Sequence, residues 1–426
     1  MKRLYKIYKQ YPNICTDTRQ IQPDVLFFCL KGENFDGNKF ALQAAEAGAK
    51  LVITEDKSLI GDNRFYCVKD VLKCLQQLAR YHRKNLKIPV IGITGTNGKT
   101  TTKELINAVL SKRYKTVATQ GNLNNHIGVP LTVLSIRPDD EVAIIEMGAN
   151  HSGEIAELCR IARPTHGLIT NIGTAHIEGF GTMKTLIKTK VALYRYLRRK
   201  SGMFYLNYHD PILIKYCRHK ISKNNIYGIN LHNYSSKEPN DTPFLHLFLY
   251  DKEVKTHLTG QYNLLNILAA STIGEAFKVP CEAIIEAIEE YAPSNNRSQI
   301  IQVGSNTLIA DYYNANPYSM EAALCNLAKI QHSRKLAILG DMRELGDISR
   351  EAHKQLVVRC RELNIPALFV GTEFAACCPE HAFENVDVLN SYLAEHRPEN
   401  SLILVKGSRG MRLESVIQKF LVPVGS

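Results

Sequence analysis

Val90-Ile91-Gly92-Ile93-Thr94-Gly95-Thr96-Asn97-Gly98-Lys99-Thr100-Thr101 reads as an apolar strand that runs into a Gly-Lys-Thr loop. Glycines let the backbone turn tightly enough to aim several N–H groups at a polyphosphate. Lys99 brings a mobile positive charge, and the Thr100 hydroxyl can ligate Mg²⁺. The stretch from 103 to 110 reads as a helix, whose N-terminus adds partial positive charge. The loop departs from the common G-x-x-x-x-G-K-[ST] form. Ile93 stands where the first glycine belongs, with Gly92 one residue early and Gly95 two late. The unit is a nucleotide-binding strand, loop and helix with an irregular loop.

Outward from it, 89–94, Val142–Glu146, 167–171 and Met203–Asn207 are apolar runs separated by helical patterns. That alternation predicts a mostly parallel sheet flanked by helices. Between 227 and 259 short alternating segments such as 244–250 predict an antiparallel edge. Residues 1–86 hold strand-like runs at 25–30 and Leu51–Thr54, a helix over 39–49, and a basic helix end and linker over 80–87. Strands at 307–311, 335–339, Ala367–Val370 and 402–405, with helices between, form a second α/β unit. The expected fold is α/β in three domains. These are a small α/β domain over 1–86, a central P-loop ATPase-type domain over 87–293, and a C-terminal Rossmann-like domain over 294–426.

Composition narrows the function classes. The 426 residues are 45% hydrophobic and 22% charged, ordinary for a soluble globular chain. No apolar run approaches the roughly 18 residues that span a bilayer. The start, Met1-Lys2-Arg3-Leu4-Tyr5-Lys6, lacks the apolar stretch of a signal peptide, so a cytoplasmic protein is expected. Eleven cysteines lie scattered without a C-x-x-C pair, which suits reduced thiols and no zinc site. The formal charge of +12 fits nucleic acid or small polyanions. Tryptophan is absent and no aromatic-interleaved basic motif occurs, so small anionic substrates, rather than nucleic acid, are expected.

Four further places carry chemistry. Glu146 ends a strand on the edge where the phosphate loop sits, and a carboxylate there can complete a Mg²⁺ shell with Thr100. His176 lies just past another strand end, and spacing alone fits a metal ligand or an ordinary loop histidine. Lys190 falls on the apolar stripe of a helix read over 183–197, among Leu186, Ile187, Leu193, Tyr194 and Leu197. A desolvated lysine holds more neutral amine, and a neutral amine can add CO₂ to give a carbamate, a metal-binding anion. Periodicity alone fits better a lysine that runs along the helix edge to water. Last, Lys406-Gly407-Ser408-Arg409 and Asp311-Tyr312-Tyr313-Asn314-Ala315-Asn316-Pro317 each follow a strand; either could be a phosphate or carboxylate site, or a plain turn.

Together these residues resemble the Mur ligase family, ATP-dependent amide-forming enzymes of peptidoglycan synthesis. The likeness rests on Gly95–Thr101 in the family's shortened G-T-x-G-K-T form, Glu146, Asn171-Ile172-Gly173-Thr174-Ala175-His176, Gly260-x-x-Asn263-x-x-Asn266, Arg297 and Asp311. Longer signals place the chain with members that join D-alanyl-D-alanine to a UDP-MurNAc-tripeptide. They are Asp17-Thr18-Arg19, Lys31-Gly32-Glu33-x-Phe35-Asp36-Gly37, Gly121-Asn122-Leu123-Asn124-Asn125, Glu146–His151, Tyr313–Pro317 and Gly340-Asp341-Met342-x-Glu344-Leu345-Gly346.

The resemblance implies ATP and Mg²⁺ as cofactors and a monomer acting on those two small substrates. Gly95, Thr96, Asn97, Gly98, Lys99, Thr100 and Thr101 would cradle the phosphates. Thr100 and Glu146 would hold one Mg²⁺, and His176 with carbamylated Lys190 a second, so that Lys99, His176 and Lys190 carry catalysis. Asn266 would read adenine, Arg297 touch phosphate and Asp311 hold the ribose. Thr18, Arg19 and Lys31 would seat the UDP-sugar, and Asn122, Asn124 and Asn125 line the nucleotide-peptide site. Asn314, Asn316, Lys406 and Arg409 would serve the third domain's side.

One departure stands out: relatives commonly carry Lys-Gly-Glu where this chain has Lys190-Val191-Ala192. On a helix the third position points about 200° from the lysine, so a lost surface or supporting contact is expected rather than lost catalysis. The alternatives are another Mur-type ligase (diaminopimelate- or lysine-adding, or folylpolyglutamate synthase-like), a catalytically idle Mur-like subunit, and a P-loop nucleic-acid ATPase. The last-domain Asp-Asn-Pro-Arg signature of a diaminopimelate-adding ligase is absent. A folylpolyglutamate synthase would leave the N-terminal block unexplained. Lys99, Glu146, His176 and Lys190 are all present, which an idle subunit would not require.

Overall fold

The computed structural model describes residues 1–32, 35–173, 177–217, 226–227, 235–237 and 242–421, and their contacts gather into two compact units. The first comprises Met1–Thr94, Arg113–Ile169 and Thr189–Tyr205. In it Ile14–Cys15, Leu26–Phe28, Leu51–Thr54 and Phe65–Cys67 lie side by side in that order, all parallel. Phe27, Val52 and Phe65 form the core of this sheet with Ala41 and Ala44 of a short helix, Ala41–Glu46. That helix is shorter than the one expected over 39–49. Asp36 accepts the Asn38 N–H and opens a 3₁₀ turn, Gly37–Phe40, while Gly48 leaves helical space at φ +96°.

One further helix escaped the sequence reading, and a second was read only at its end. Lys2–Gln10 carries only Leu4, Tyr5, Ile7 and Tyr8 among charged residues. Val71–Asn85 starts at Asp70, whose carboxylate accepts the Lys73 N–H at 2.8 Å. It ends within the stretch expected as a helix end and linker, and two of that stretch's basic residues turn inward. Arg83 donates to the carbonyls of Ala162, Leu86, Ile88 and Arg163, and burial lowers its pKa to about 10. It pins the chain just before the phosphate-loop strand.

His82 is buried with Nε2 3.0 Å from the Ile136 carbonyl and Nδ1 3.3 Å from the Tyr5 hydroxyl, which suits the neutral ring. Burial holds its pKa below the usual histidine value. Above the unfolded value of about 6.5 both states are neutral. As pH falls through that value, the unfolded chain takes up a proton that the folded one refuses, so stability drops. The urea midpoint is therefore expected to fall between pH 7 and 5.5, and less steeply in His82→Gln. An unchanged slope in that variant would count against the assignment.

The same unit holds the parallel strands His166–Ile169, Val90–Thr94, Val142–Glu146 and Thr116–Ala118, adjacent in that order. Every residue of Val90–Thr94 and Val142–Glu146 is buried, as the continuous apolar runs foretold. The single helix read over 183–197 is broken. Met183–Lys190 ends at Lys190, Val191 sits at ψ −10°, and Ala192–Arg199 starts anew.

The second unit comprises Gly95–Lys112, Thr170–Lys188 and Leu206–Ser426. Helix Lys99–Ser111 packs on Leu264–Ala276 and Cys281–Glu290. The expected antiparallel edge is present as His246–Leu249 against Lys252–Lys255. Tyr250 and Asp251 turn between them at φ +54° and +60°, the torsions of a tight type I′ hairpin. A six-stranded sheet follows, in the order Gln299–Val303, Asn306–Asp311, Leu402–Lys406, Lys335–Gly340, Ala367–Val370, Ala382–Phe383. Only the first pair is antiparallel. The last strand in sequence slots between Asn306–Asp311 and Lys335–Gly340 and brings Lys406 into register with Asp311. A switch in strand order of this kind opens a ligand crevice at the carboxyl ends of open α/β sheets.

Candidate active site

Gly95 leaves the strand at φ +151°, and a Cβ there would collide with Thr170 Oγ1. Gly98 turns at φ +77°, and a Cβ there would meet Asn266 Oδ1 at 2.6 Å. Only glycine fits either place. Between them the loop is braced by the strand-end segment Thr170–Gly173. The Thr96 and Asn97 N–H groups donate to the Asn171 carbonyl and side-chain oxygen, both at 3.0 Å. The Asn97 carbonyl accepts from Thr170 Oγ1 at 2.6 Å and Asn171 Nδ2 at 3.1 Å, and the Gly173 N–H donates to Thr96 Oγ1. Asn171 was quoted in a motif without a role. Spacing shows that an asparagine follows the strand, not that its amide grips the loop.

Helix Lys99–Ser111 begins here, so its first N–H groups face the loop. Lys99 Nζ donates back to the carbonyls of Gly95 and Thr96, at 2.9 and 3.0 Å. Thr100 and Thr101 are buried. Asn266 lies against Gly98, accepts from the Thr102 hydroxyl at 2.9 Å and donates to Asn263 at 2.8 Å. A primary amide keeps one further N–H for a ligand after those two bonds.

On the far side of the loop, Asn316 donates to Asn97 Oδ1 at 2.7 Å. Asn316 also starts helix Pro317–Lys329, accepting the Ser319 N–H at 2.9 Å in a reciprocal capping box. Asp311 accepts from Lys406 Nζ at 2.6 Å and from the Ser298 N–H at 3.1 Å, and Lys406 reaches the Asn314 carbonyl at 3.3 Å. Lys406, expected to face substrate, is instead 2% exposed and spends its charge inside the fold. Breaking a buried pair leaves an uncompensated charge. Lys406→Met is therefore expected to cost about 3 kcal/mol in chemical denaturation, with most recovered in Lys406→Met/Asp311→Leu. A loss below about 1 kcal/mol would show the pair to be solvated.

Arg297 and Arg409 both lie over the Tyr313 ring, their Cζ atoms 3.9 and 5.3 Å from its centre. Arg297 Nε is buried without a hydrogen-bond partner, and among the described residues no carboxylate pairs with this guanidinium. Two cations gathered on one ring with a donor left over suit an incoming polyanion.

In the other unit, Glu146 ends its strand 1% exposed, and its Oε1 accepts from Asn124 Nδ2 at 2.8 Å. Two candidates read separately from the sequence thus meet. Asn125 instead caps helix Gly128–Ser135, accepting from the N–H groups of Ile127 and Gly128, and Asn122 is exposed. Lys190 is 2% exposed, so it does not run out to water, and the reading as a buried lysine holds. Arg19 grips Asp17 through two nitrogens, and those hydrogen bonds hold the Asp17 carboxyl down to about 2. Asp17 also accepts the Arg19 backbone N–H at 3.0 Å and so caps the turn Thr18–Gln20. Lys31 bonds Glu55 at 2.9 Å, which raises its pKa, and pairs with Asp36 across a two-stranded ribbon. His176 lies outside the described residues. Among those described, no cluster of three or more His, Cys, Asp or Glu could hold a metal, and no helix is long and apolar enough to cross a membrane.

Three family models match the chain in succession. They are the Mur ligase family catalytic domain at residues 10–92, the Mur ligase middle domain at 93–274, and the Mur ligase glutamate ligase domain at 296–409. A UDP-N-acetylmuramoyl-tripeptide–D-alanyl-D-alanine ligase of Bacillus subtilis is 33% identical over 96% of this chain and 93% of its own. The enzyme of that name from Escherichia coli is 32% identical over 95% and 92%. Among solved structures, MurF from Acinetobacter baumannii superposes with a TM-score of 0.83 at 31% identity, covering 96% of this chain and 93% of that one. MurF ligase from Thermotoga maritima, in complex with ADP, gives 0.83 at 26% identity over 99% and 98%. The fold is the three-domain α/β fold of these proteins.

Proposed function

The chain belongs to the Mur ligase family, and we infer from that premise that it adds D-alanyl-D-alanine to UDP-N-acetylmuramoyl-tripeptide at the expense of ATP. The product is the UDP-MurNAc-pentapeptide used in peptidoglycan synthesis. The near full-length likeness to ligases of that name carries the reading, and the braced Gly95–Thr101 loop supplies its chemical basis.

Within that reading, residues 1–86 seat the UDP-sugar through Thr18, Arg19 and Lys31, residues 87–293 bind ATP, and residues 294–426 receive the amine and close the cleft. Asn122, Asn124 and Asn125 line the nucleotide-peptide site, with Asn125 acting through its helix cap. Asn314, Asn316 and Arg409 serve the amine side. Asn266 reads adenine, and Asp311 takes the ribose on carboxylate lone pairs that Lys406 leaves open. The enzyme works as a cytoplasmic monomer.

Mg²⁺ fits the donor set. One buried carboxylate and one hydroxyl, completed by phosphate oxygens, are what this hard cation takes at phosphate-transfer sites. Thr100 and Glu146 would hold one ion, and His176 with carbamylated Lys190 a second. Bound there, Mg²⁺ would neutralise charge between two anions that must meet. Lys99 and Arg297 offset the rest.

The peptide's terminal carboxylate oxygen attacks the γ-phosphorus, and the bond to ADP breaks. The dipeptide amine, having lost its proton to solvent, then attacks the acyl carbon. The nitrogen gives up a second proton to solvent, the C–O bond breaks and phosphate leaves with the former carboxylate oxygen. Closure keeps water from the acyl phosphate. Accordingly, ADP and pentapeptide should form one for one only when all three substrates are present. With ¹⁸O in the tripeptide carboxylate, one label should appear in the released phosphate. Unlabelled phosphate would rule out the acyl phosphate.

A further inference from the structure

We infer that Asn316 is a positioning residue, which sets the phosphate loop from the start of helix Pro317–Lys329. The inference rests on the ATP-dependent reading above. Asn97 is the one variable position inside the loop's G-T-x-G-K-T frame, and its peptide group is already committed. Its N–H goes to Asn171 Oδ1, and its carbonyl accepts from Thr170 Oγ1 and Asn171 Nδ2. What remains to orient the loop is the Asn97 side chain, and that chain is held by Asn316 Nδ2 at 2.7 Å.

Asn316 is 8% exposed and its own oxygen is fixed by the Ser319 N–H, so the donor it offers is aimed by the helix cap. A side chain locked at one end by a capping box cannot follow the loop, so the loop follows it. One amide thereby ties the start of the phosphate-binding helix to the start of the helix that follows Asp311. The ribose ligand, the amine-side Asn314 and the phosphate loop are thus referred to one short segment, Asp311–Pro317. ATP seated in the loop would bear on that segment through a single hydrogen bond.

The test is a double-mutant cycle in the full chain with Asn97→Ala, Asn316→Ser and both together. Serine keeps an oxygen for the Ser319 N–H but is too short to reach Asn97. Each single change should lower kcat/KM for ATP about 3- to 10-fold, the worth of one hydrogen bond. The double variant should fall no further than the worse single one, and KM for the UDP-linked tripeptide should stay within twofold of wild type. Losses that multiply, or an Asn316→Ser enzyme with unchanged kcat/KM for ATP, would overturn the inference. Any weakening of the cap is present in both Asn316→Ser proteins and cancels from the comparison. If wild type turns over none of the ligase substrates, the ligase reading itself has failed. The coupling is then read from ADP dissociation constants of the same four proteins by calorimetry, with the same two patterns deciding it.

Discussion

Replacing Lys99 by alanine should lower kcat about 10³-fold, a loss of roughly 4 kcal/mol in transition-state stabilisation, while the protein stays folded. Lys99 is the first residue of helix Lys99–Ser111, where alanine is at least as good a helix former. Its ammonium donates to the loop carbonyls of Gly95 and Thr96, neutral acceptors that water can satisfy in its place. The loop's shape is kept by Thr170, Asn171 and Gly173. What disappears is the positive charge that two converging anions require. Steady-state kinetics with a melting curve checks this. A Lys99→Ala enzyme within tenfold of wild-type kcat, or one that no longer melts cooperatively, would contradict the role.

The second large effect is expected at Lys190. Lys190 is 2% exposed at the end of its helix, and the reading proposed above makes its nitrogen, as a carbamate, a metal ligand. In that reading, the neutral amine would add CO₂ and release one proton, giving a buried carbamate anion able to ligate a metal. Lys190→Ala should therefore lose about 10³-fold in kcat, and formate or acetate should restore part of it by entering the space the carbamate leaves. The same carboxylates should do nothing for wild type. Activity within threefold of wild type, or a deep loss that no short carboxylate relieves, would remove the carbamate from the mechanism. Because Lys190→Ala also opens a cavity, Lys190→Met serves as the volume control: it should melt like wild type and remain inactive.

Much of this was legible in the sequence because the central strands are buried on both faces and announce themselves as continuous apolar runs. Val90–Thr94 and Val142–Glu146 lie where those runs fall. So did the loop, since Gly95 and Gly98 occupy backbone positions no other residue tolerates. The losses have physical causes. Lys2–Gln10 offers only four apolar positions, two of them tyrosines, too few for periodicity to rise above its charges. The break after Lys190 leaves the hydrophobic stripe intact, so pattern alone draws one helix where there are two. For the candidate residues, the sequence carries residue type and place in the chain but not direction. Asn124, Asn125 and Asn171 are all asparagines in loops, yet one meets Glu146, one caps a helix and one grips the phosphate loop. Lys406 looked like a ligand because it follows a strand into Gly-Ser-Arg. It was committed instead to Asp311, 95 residues earlier, by a strand order that only the folded sheet reveals.

The central claim is the identity of the bond made, and one measurement addresses it most directly. Phosphate release is followed with ATP and UDP-MurNAc-tripeptide while the amine is varied among D-alanyl-D-alanine, D-alanine, L-alanyl-L-alanine, L-lysine, diaminopimelate and glutamate. The account predicts turnover well above background with D-alanyl-D-alanine alone, and a product heavier by that dipeptide less one water. Equal stimulation by another amine of the panel, or none by D-alanyl-D-alanine, would contradict it.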